Sequence, residues 1–197
     1  MSSRRRTRRT PWVKHWHLFL PQPIDVVFDF FSNAENLQAI TPPWLNFRIV
    51  TPTPIDIRQG TIINYKLKVR GLPVRWQTLI SDWAPPYRFT DQALRSPYAL
   101  WIHEHTFEAH DGGTLCGDQV TYDIPGGPLR PLIHQWFVEK DVNRIFEYRA
   151  EQLRQRFGKQ SPTPERPVLS PAEGRSAAEG PEPRRGEARD PSETLKL

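Results

Sequence analysis

The sequence has little cysteine: Cys116 is the only one among 197 residues. A single thiol excludes an internal disulfide and a metal cluster built from several thiolates. The sequence also lacks an apolar run of about 20 residues, the length that a helix needs to span a bilayer. Together these absences favour a cytoplasmic protein, and we expect that location.

Several short motifs with well-understood chemistry are also missing. The chain has no glycine-rich phosphate loop, no dinucleotide-binding glycine pattern, no G-x-S-x-G nucleophile elbow and no H-E-x-x-H zinc helix. The H-E-H stretch at 103–105 is not that zinc motif, because its two histidines are too close together. No motif therefore indicates an enzyme class, and we predict no cofactor.

Positive charge is concentrated at the start of the chain. The sequence has 27 lysines and arginines against 22 aspartates and glutamates, and residues 1–10 include five arginines. The remaining residues are balanced in charge, so their composition does not indicate a nucleic-acid-binding body. We expect contact with phosphates or with an anionic membrane surface only through this arm.

The C-terminal residues 158–197 are rich in proline, glutamate, arginine, glycine and serine, and they contain no aromatic residue. Such a segment cannot bury enough apolar surface to offset the entropy lost on ordering, so we predict that it is disordered. The predicted organisation is therefore a disordered basic arm at 1–10, one folded domain at 11–157 and a disordered tail at 158–197.

Hydrophobic periodicity predicts two short helices and a series of strands in the folded domain. A strand is expected at 10–21, a helix from Pro23, and a second short helix at 33–40 capped by Asn33. Apolar and polar side chains then alternate in six segments, which predict the strands 47–52, 60–71, 74–83, 88–96, 99–109 and 113–125. This pattern is typical of one antiparallel meander of about seven strands.

A long helix is expected between Pro128 and Gly158, where proline suits the first turn and glycine suits the position after the end. Its apolar residues form two stripes, Leu129, Leu132, Ile133 and Trp136 in the first half and Val142, Phe146, Ala150, Leu153 and Phe157 in the second. The stripes are offset around the axis, so we expect a bend or shift near Val138–Asp141. The same periodicity predicts an exposed His134.

Three separated segments resemble a known family: "LPQPIDVVFDFFSNAENLQAITPPWL", "WIHEHTFEAHDGGTLCGDQVTYDIPGG" and "VNRIFEYRAEQL". They are similar to the START-like (SRPBCC) superfamily, in its bacterial polyketide cyclase/dehydrase-like ligand-binding branch. The resemblance covers about residues 11–157. It implies an α+β helix-grip fold of the START/Bet v 1 type, with a curved antiparallel sheet of about seven strands wrapped around the long C-terminal helix. A cavity is expected between sheet and helix.

Members of this superfamily include lipid carriers, hormone and alkaloid binders, aromatase/cyclases, quinone-binding proteins and ribosome-associated toxins. They share no catalytic motif, so the resemblance assigns no catalytic residue. The candidates for a functional site must come from the strands themselves.

The stretch "ALWIHEHTFE" places two histidines on the aromatic face of a strand. Side chains two residues apart point to the same side of a strand, which here presents Trp101, His103, His105 and Phe107. If the more apolar face of each neighbouring strand also faces the cavity, three polar groups join them: Asp91, Asp118 and Tyr122.

Four interpretations of these polar residues stay open. They could form a satisfied polar network in the core, because Asp–His pairing neutralises buried charge. They could orient a ligand whose body lies on Trp76, Trp101 and Phe107. They could perform acid–base chemistry, with either histidine as the base and either aspartate as its orienting partner. Zinc or iron would need a third ligand, which histidines at i and i+2 do not supply by themselves, so we predict no metal.

The function that we predict is binding of a small hydrophobic ligand, aromatic or polycyclic, in the internal cavity, as a carrier or sensor. The expected ligand-binding residues are Trp76, Asp91, Trp101, His103, His105, Phe107, Asp118, Tyr122 and Trp136. No residue is assigned as catalytic, although His103, His105 and Asp118 are candidates.

Two other functions remain open. The first is a cyclase or dehydratase that uses the same histidines and aspartates without a metal. The second is a protein- or ribosome-directed module that makes contact through the arginine arm. The sequence leaves open the identity of the ligand, the oligomeric state, and whether the seven tryptophans fill the cavity.

Overall fold

One antiparallel sheet of seven strands is the framework of the computed structural model, which describes residues 10–158. The strands are β1 (Trp12–Leu20), β2 (Arg48–Ile49), β3 (Ile62–Val69), β4 (Leu72–Ala84), β5 (Arg88–Arg95), β6 (Leu100–His110) and β7 (Gly113–Asp123). Their order across the sheet is β1-β7-β6-β5-β4-β3-β2, so β1 and the short β2 are the edges. The predicted meander is confirmed. The predicted arm and tail, apart from Thr10 and Gly158, lie outside the described residues.

Short helical segments connect β1 to β2. They are the helix α1 (Ile24–Phe31) and two 3₁₀ turns, Ala34–Gln38 and Pro43–Leu45. The Asn33 side chain caps the first 3₁₀ turn by accepting a hydrogen bond of 2.9 Å from the Glu35 amide. Phe28 of α1 packs edge-on against Phe89 and Phe107, with ring centroids 6.3 and 5.5 Å away. These contacts fix α1 against the concave side of β5 and β6.

The chain after β7 is helical, but it is not one regular helix. It contains a 3₁₀ turn (Gly127–Leu129), the helix α2 (Arg130–Ile133), a π-helical turn (His134–Val138) and the long helix α3 (Glu139–Phe157). A π turn holds one residue more than an α turn, so the helical face shifts where it occurs. The shift expected near Val138–Asp141 is this π turn. Within residues 10–158, no helix combines the length and apolar character needed to cross a membrane.

The two predicted apolar stripes differ in burial. The stripe on α3 packs against the sheet, where Val142, Phe146, Leu153 and Phe157 are buried. Most of the earlier stripe faces solvent, with exposed fractions of 64% for Leu129, 52% for Leu132 and 59% for Trp136. The π turn separates the two stripes, so the periodicity of α3 does not extend back to α2.

The prediction that His134 is exposed is wrong, because the π turn rotates this residue toward the sheet. Only 7% of His134 is accessible to solvent. Its ring stacks on Trp12 of β1, with centroids 3.9 Å apart and planes within 2°. Its Nε2 lies 2.8 Å from the hydroxyl oxygen of Tyr122 on β7. His134 therefore connects the start of the C-terminal helical region to two strands.

The direction of the Tyr122–His134 hydrogen bond follows from the environment of both groups. Burial, with a contribution from Glu139, raises the pKa of Tyr122 to about 12, so the hydroxyl keeps its proton. Burial also lowers the pKa of His134, and the charges of Lys14 and Arg130 act in the same direction. The Tyr122 hydroxyl therefore donates to a neutral imidazole.

We expect Tyr122→Phe to lower the free energy of unfolding by about 1–3 kcal/mol, because it leaves the buried imidazole nitrogen without its donor. Urea denaturation at pH 7 measures this change. The matched control is Tyr87→Phe, since Tyr87 is 64% exposed. Equal stability of the two variants would contradict the anchoring role of the Tyr122–His134 contact.

Candidate functional site

A cavity of 1120 Å³ lies between the concave face of the sheet, α3 and the 3₁₀ segments that follow α1. Its wall is mostly aromatic and aliphatic and includes Leu37, Trp44, Tyr65, Trp76, Trp101 and Phe146. Trp76 and Trp101 meet edge to face, with centroids 5.5 Å apart and planes at 87°. The tryptophans therefore line this space and do not fill it.

Strand pairing brings four ionisable side chains together on the concave face. Asp91 of β5 lies directly opposite His103 of β6, and His105 of β6 lies directly opposite Asp118 of β7. Each histidine is also diagonal to the other aspartate, two residues along the neighbouring strand. Direct and diagonal neighbours on one face of a sheet are close enough for such side chains to interact. We call these four residues the His–Asp quartet.

Each imidazole of the quartet contacts both carboxylates. His103 Nε2 lies 2.8 Å from Asp118 Oδ1, and His103 Nδ1 lies 3.4 Å from Asp91 Oδ2. His105 Nε2 lies 3.2 Å from Asp91 Oδ2, and His105 Nδ1 lies 2.9 Å from Asp118 Oδ1. The last contact is close but is not aligned as a hydrogen bond, so Nδ1 of His105 is a buried ring nitrogen without a hydrogen-bond partner among residues 10–158.

The two imidazoles differ in the charge that they favour, although both are buried. Burial lowers the pKa of His103, but hydrogen bonds to Asp118 and Asp91 outweigh it, and the net shift is upward. Burial and then the charge of His103 lower the pKa of His105, and its contacts with the same carboxylates do not reverse this shift. The surroundings therefore favour the protonated form at His103 and the neutral form at His105.

Both carboxylates of the quartet stay ionised. Burial raises the pKa of Asp91, but hydrogen bonds from His103 and His105 outweigh it and bring the pKa well below its usual range. The pKa of Asp118 is also well below its usual range, because burial is outweighed first by the charge of Arg149 and then by the same histidines. The two buried carboxylates are thus offset by contacts with the imidazoles and by the charge of Arg149.

The quartet has a cavity side and a rear side. Asp91, His103 and His105 contribute to the cavity wall. Asp118 does not; it lies against a smaller pocket of 220 Å³ between β1 and α3. The polar surface offered to a ligand therefore consists of one carboxylate and two imidazoles, and Asp118 holds them from behind.

The other predicted ligand-binding residues have different positions. Trp76 and Trp101 lie on the cavity wall. Phe107 is part of an aromatic core with Phe28 and Phe89, and Tyr122 is buried beneath the wall beside His134. Trp136 is on the exposed side of the π turn. These three side chains support the site or lie away from it, and they do not form the cavity wall.

Arg149 is not among the predicted site residues, whereas the structure places it at the cavity. Its guanidinium lies over the rings of Phe31 and Phe146, at 5.3 and 6.0 Å. Its Nε is buried and has no hydrogen-bond partner among residues 10–158. The sequence did contain a signal for this position. The spacing of one helical face places Arg149 with Val142, Phe146 and Leu153.

Two contacts border the cavity where sheet and helix approach each other. Arg70, at the β3–β4 turn, donates two hydrogen bonds of 2.8 and 3.0 Å to the Asp141 carboxylate of α3. Trp44 packs edge-on against Tyr148 at 5.5 Å, and the Arg144 guanidinium lies 4.1 Å from its ring. Trp44 remains 41% exposed, as a side chain at a cavity mouth would be.

A curved antiparallel sheet that holds a long C-terminal helix across a cavity defines the helix-grip class of START and Bet v 1 proteins. The family model "Polyketide cyclase / dehydrase and lipid transport" matches residues 20–147, which is more than half of the chain, and the protein belongs to this family. The resemblance found in the sequence is thereby confirmed.

Solved structures agree with this assignment of the fold. A START superfamily protein from Mycobacterium smegmatis superposes with a TM-score of 0.56 at 11% identity, covering 74% of this chain and 97% of that chain. Major latex-like protein 151 from Panax ginseng gives a TM-score of 0.55 at 7% identity, covering 76% and 99% of the two chains. At such low identity, these likenesses show the fold alone.

A third structure shares more sequence but represents a larger protein. The nucleoside-diphosphate sugar epimerase from Corynebacterium glutamicum is 25% identical, with a TM-score of 0.53, over 72% of this chain and 28% of that chain. The comparison with curated proteins gives no match.

Acid should destabilise the protein through the quartet. The native pKa values of Asp91 and Asp118 are below the unfolded value of about 3.9, so their stabilisation is present above that pH and is lost as pH falls through the native values. We expect Asp118→Asn to lower the free energy of unfolding at pH 7 by about 3–5 kcal/mol and to weaken its decline below pH 4.

Urea denaturation at pH 7, 5, 4 and 3 tests this expectation. The control is Asp56→Asn, because the Asp56 side chain is 81% exposed. A steep acid dependence that persists in Asp118→Asn and disappears in Asp56→Asn would contradict the prediction.

Proposed function

We propose that this protein binds a small, largely apolar molecule with an aromatic or polycyclic body, and carries or senses it. The observation that supports this proposal is the 1120 Å³ cavity, whose wall is mostly aromatic and aliphatic and includes one cluster of polar residues. Ligand sites of small molecules are typically concave, mostly apolar, and equipped with a few converging polar groups. The family description, which includes lipid transport, supports the same class of function.

The driving force of this binding is burial of apolar surface, worth roughly 25 cal/mol for each Å² removed from water. The wall favours flat rings, because Trp76, Tyr98 and Trp101 meet one another at 4.7–5.8 Å and offer both ring faces and edges. Shape and apolar character therefore supply affinity at this end of the cavity.

Asp91, His103 and His105 supply orientation at the other end. A hydroxyl group of the ligand finds an acceptor in the Asp91 carboxylate, which is ionised and contributes to the wall. A ligand without any polar group would exclude water from the cavity side of these groups without replacing its hydrogen bonds, at a cost in free energy. The proposed ligand is thus apolar along most of its length and carries a hydrogen-bonding group at one end.

The alternative of a protein- or ribosome-directed module depends on the arginine arm, whose arginines lie outside residues 10–158. None of the contacts described above bears on it. A cytoplasmic location belongs to this proposal and is supported by the single, buried Cys116.

Cavity filling tests the proposal most directly. Leu67 lies on the wall, whereas Lys68 is the next residue of β3 and points to the opposite face. We expect Leu67→Trp to weaken binding of the neutral fluorescent probe N-phenyl-1-naphthylamine at least tenfold, because the indole occupies ligand space. Lys68→Trp should change the affinity less than twofold.

Fluorescence titration of the full chain provides both affinities, and circular dichroism verifies that the variants fold. Failure of the wild-type protein to bind the probe, or equal weakening by both substitutions, would contradict binding in this cavity.

A second candidate function is acid–base catalysis on a bound ketone, such as loss of water. The observation that favours it is that two imidazoles lie on the wall with ring centroids 3.8 Å apart, while their surroundings raise the pKa of His103 and lower the pKa of His105. One group of this pair can donate a proton while the other accepts one.

This candidate predicts that the wild-type protein dehydrates 4-hydroxy-4-phenyl-2-butanone faster than buffer does. It also predicts that His105→Ala loses this turnover while it still binds N-phenyl-1-naphthylamine. Ultraviolet absorbance of the conjugated product measures the rate. Turnover that is undetectable in the wild type, or unchanged in His105→Ala, would leave carrier or sensor function alone.

A further inference from the structure

We propose that Asp91, His103 and His105 form a binding site for one divalent transition-metal ion such as zinc, with Asp118 as the residue that orients both imidazoles. The sequence argument against a metal was that two histidines at i and i+2 lack a third ligand. Strand pairing removes that objection, because the register of β5 and β6 places the Asp91 carboxylate directly opposite His103. One ligand atom from each of the three residues lies within 4.8 Å of the other two.

The distances between the proposed ligand atoms match those between the ligands of a small metal ion. Zinc binds histidine nitrogen and carboxylate oxygen at about 2.0–2.1 Å, so neighbouring ligands of a tetrahedral site are about 3.3 Å apart. Asp91 Oδ2 lies 3.4 Å from Nδ1 of His103 and 3.2 Å from Nε2 of His105. Both distances from the Asp91 oxygen therefore match the spacing of ligands around a common metal centre.

At the rear of the quartet, Asp118 provides the contact that the second ring nitrogen of a metal-binding histidine ordinarily makes. In most such sites, the second ring nitrogen of each histidine donates to a carboxylate, a backbone carbonyl or water, and this contact fixes the orientation and tautomer of the ring. Here Asp118 Oδ1 lies 2.8 Å from Nε2 of His103 and 2.9 Å from Nδ1 of His105. One carboxylate thus holds both rings with their other nitrogens directed toward Asp91.

The chemical class of the metal follows from the ligands. Two imidazole nitrogens and one carboxylate oxygen suit zinc or ferrous iron, whereas magnesium and calcium prefer sites built from oxygen. Because the three ligands belong to the cavity wall, the remaining coordination position opens into the cavity. The further step that a ligand oxygen occupies this position rests on the proposed function; the metal site itself does not.

The test uses the full chain after treatment with a chelator and gel filtration, titrated with Co²⁺ and, in a parallel experiment, with Zn²⁺. Visible absorption of Co²⁺ reports four- or five-coordination, and isothermal titration gives stoichiometry and affinity. We expect one ion per chain. His105→Ala and Asp91→Asn should weaken binding at least 100-fold, and Asp118→Asn should weaken it about 10- to 100-fold.

The chain offers a matched control in its second His-x-His pair. His15 and His17 have the same spacing on β1 but lie on the exposed, convex face. The double variant His15→Ala/His17→Ala should bind Co²⁺ like the wild type. Loss of binding in this variant, or an affinity unchanged in both His105→Ala and Asp91→Asn, overturns the proposal, as does the lack of any bound ion in the wild type.

A measurement without substitutions covers the case in which a quartet variant fails to fold. In long-range ¹H–¹⁵N spectra of the wild-type protein, Zn²⁺ should shift the ring nitrogens of two buried histidines and leave the exposed pair unchanged. Shifts confined to exposed histidines would overturn the proposal. Binding of N-phenyl-1-naphthylamine is measured independently of metal, so failure of the metal site and failure of the proposed cavity function are distinguishable.

Discussion

Mutual neutralisation of buried charge across β5, β6 and β7 is the constraint on which this structure depends. Two carboxylates, two imidazoles and one guanidinium share a space from which water is largely excluded, and each would be costly there by itself. A slip of one residue in the pairing of β6 would turn both imidazoles to the convex face and leave the carboxylates unpaired. The same contacts therefore set the strand register and place a polar surface at the end of an apolar cavity.

The sequence contained enough information to predict the sheet and part of the site. Alternation identified the strands, and the Asp111–Gly112 turn determines the pairing of β6 with β7, because His110 opposite Gly113 implies His105 opposite Asp118. The longer connection between β5 and β6 does not determine register in this way. For that reason, the position of Asp91 beside both imidazoles became certain only from the folded chain.

The helical half of the molecule was less predictable, for a physical reason. Helical periodicity assumes a constant turn, and the π turn at His134–Val138 breaks that assumption. The exposure of His134 was therefore predicted wrongly, and Trp136, which was expected to contact the ligand, is 59% exposed. Arg149 was missed for another reason: it is a charged residue on an apolar helical face, and only the folded chain shows that Asp118 and two aromatic rings accommodate it.

The extra residue of the π turn also affects how this protein can change during evolution. Each residue of an α-helix advances the chain by about 100° around the axis. A deletion within α3 would therefore turn every later residue by about that angle and move the stripe that packs on the sheet away from it. A π turn already accommodates one residue more than an α turn, so deleting one residue between His134 and Val138 would leave an ordinary α turn with α2 and α3 facing nearly as before. A loss of one residue in the C-terminal helical region is therefore tolerable at the π turn and not in the helix that follows it.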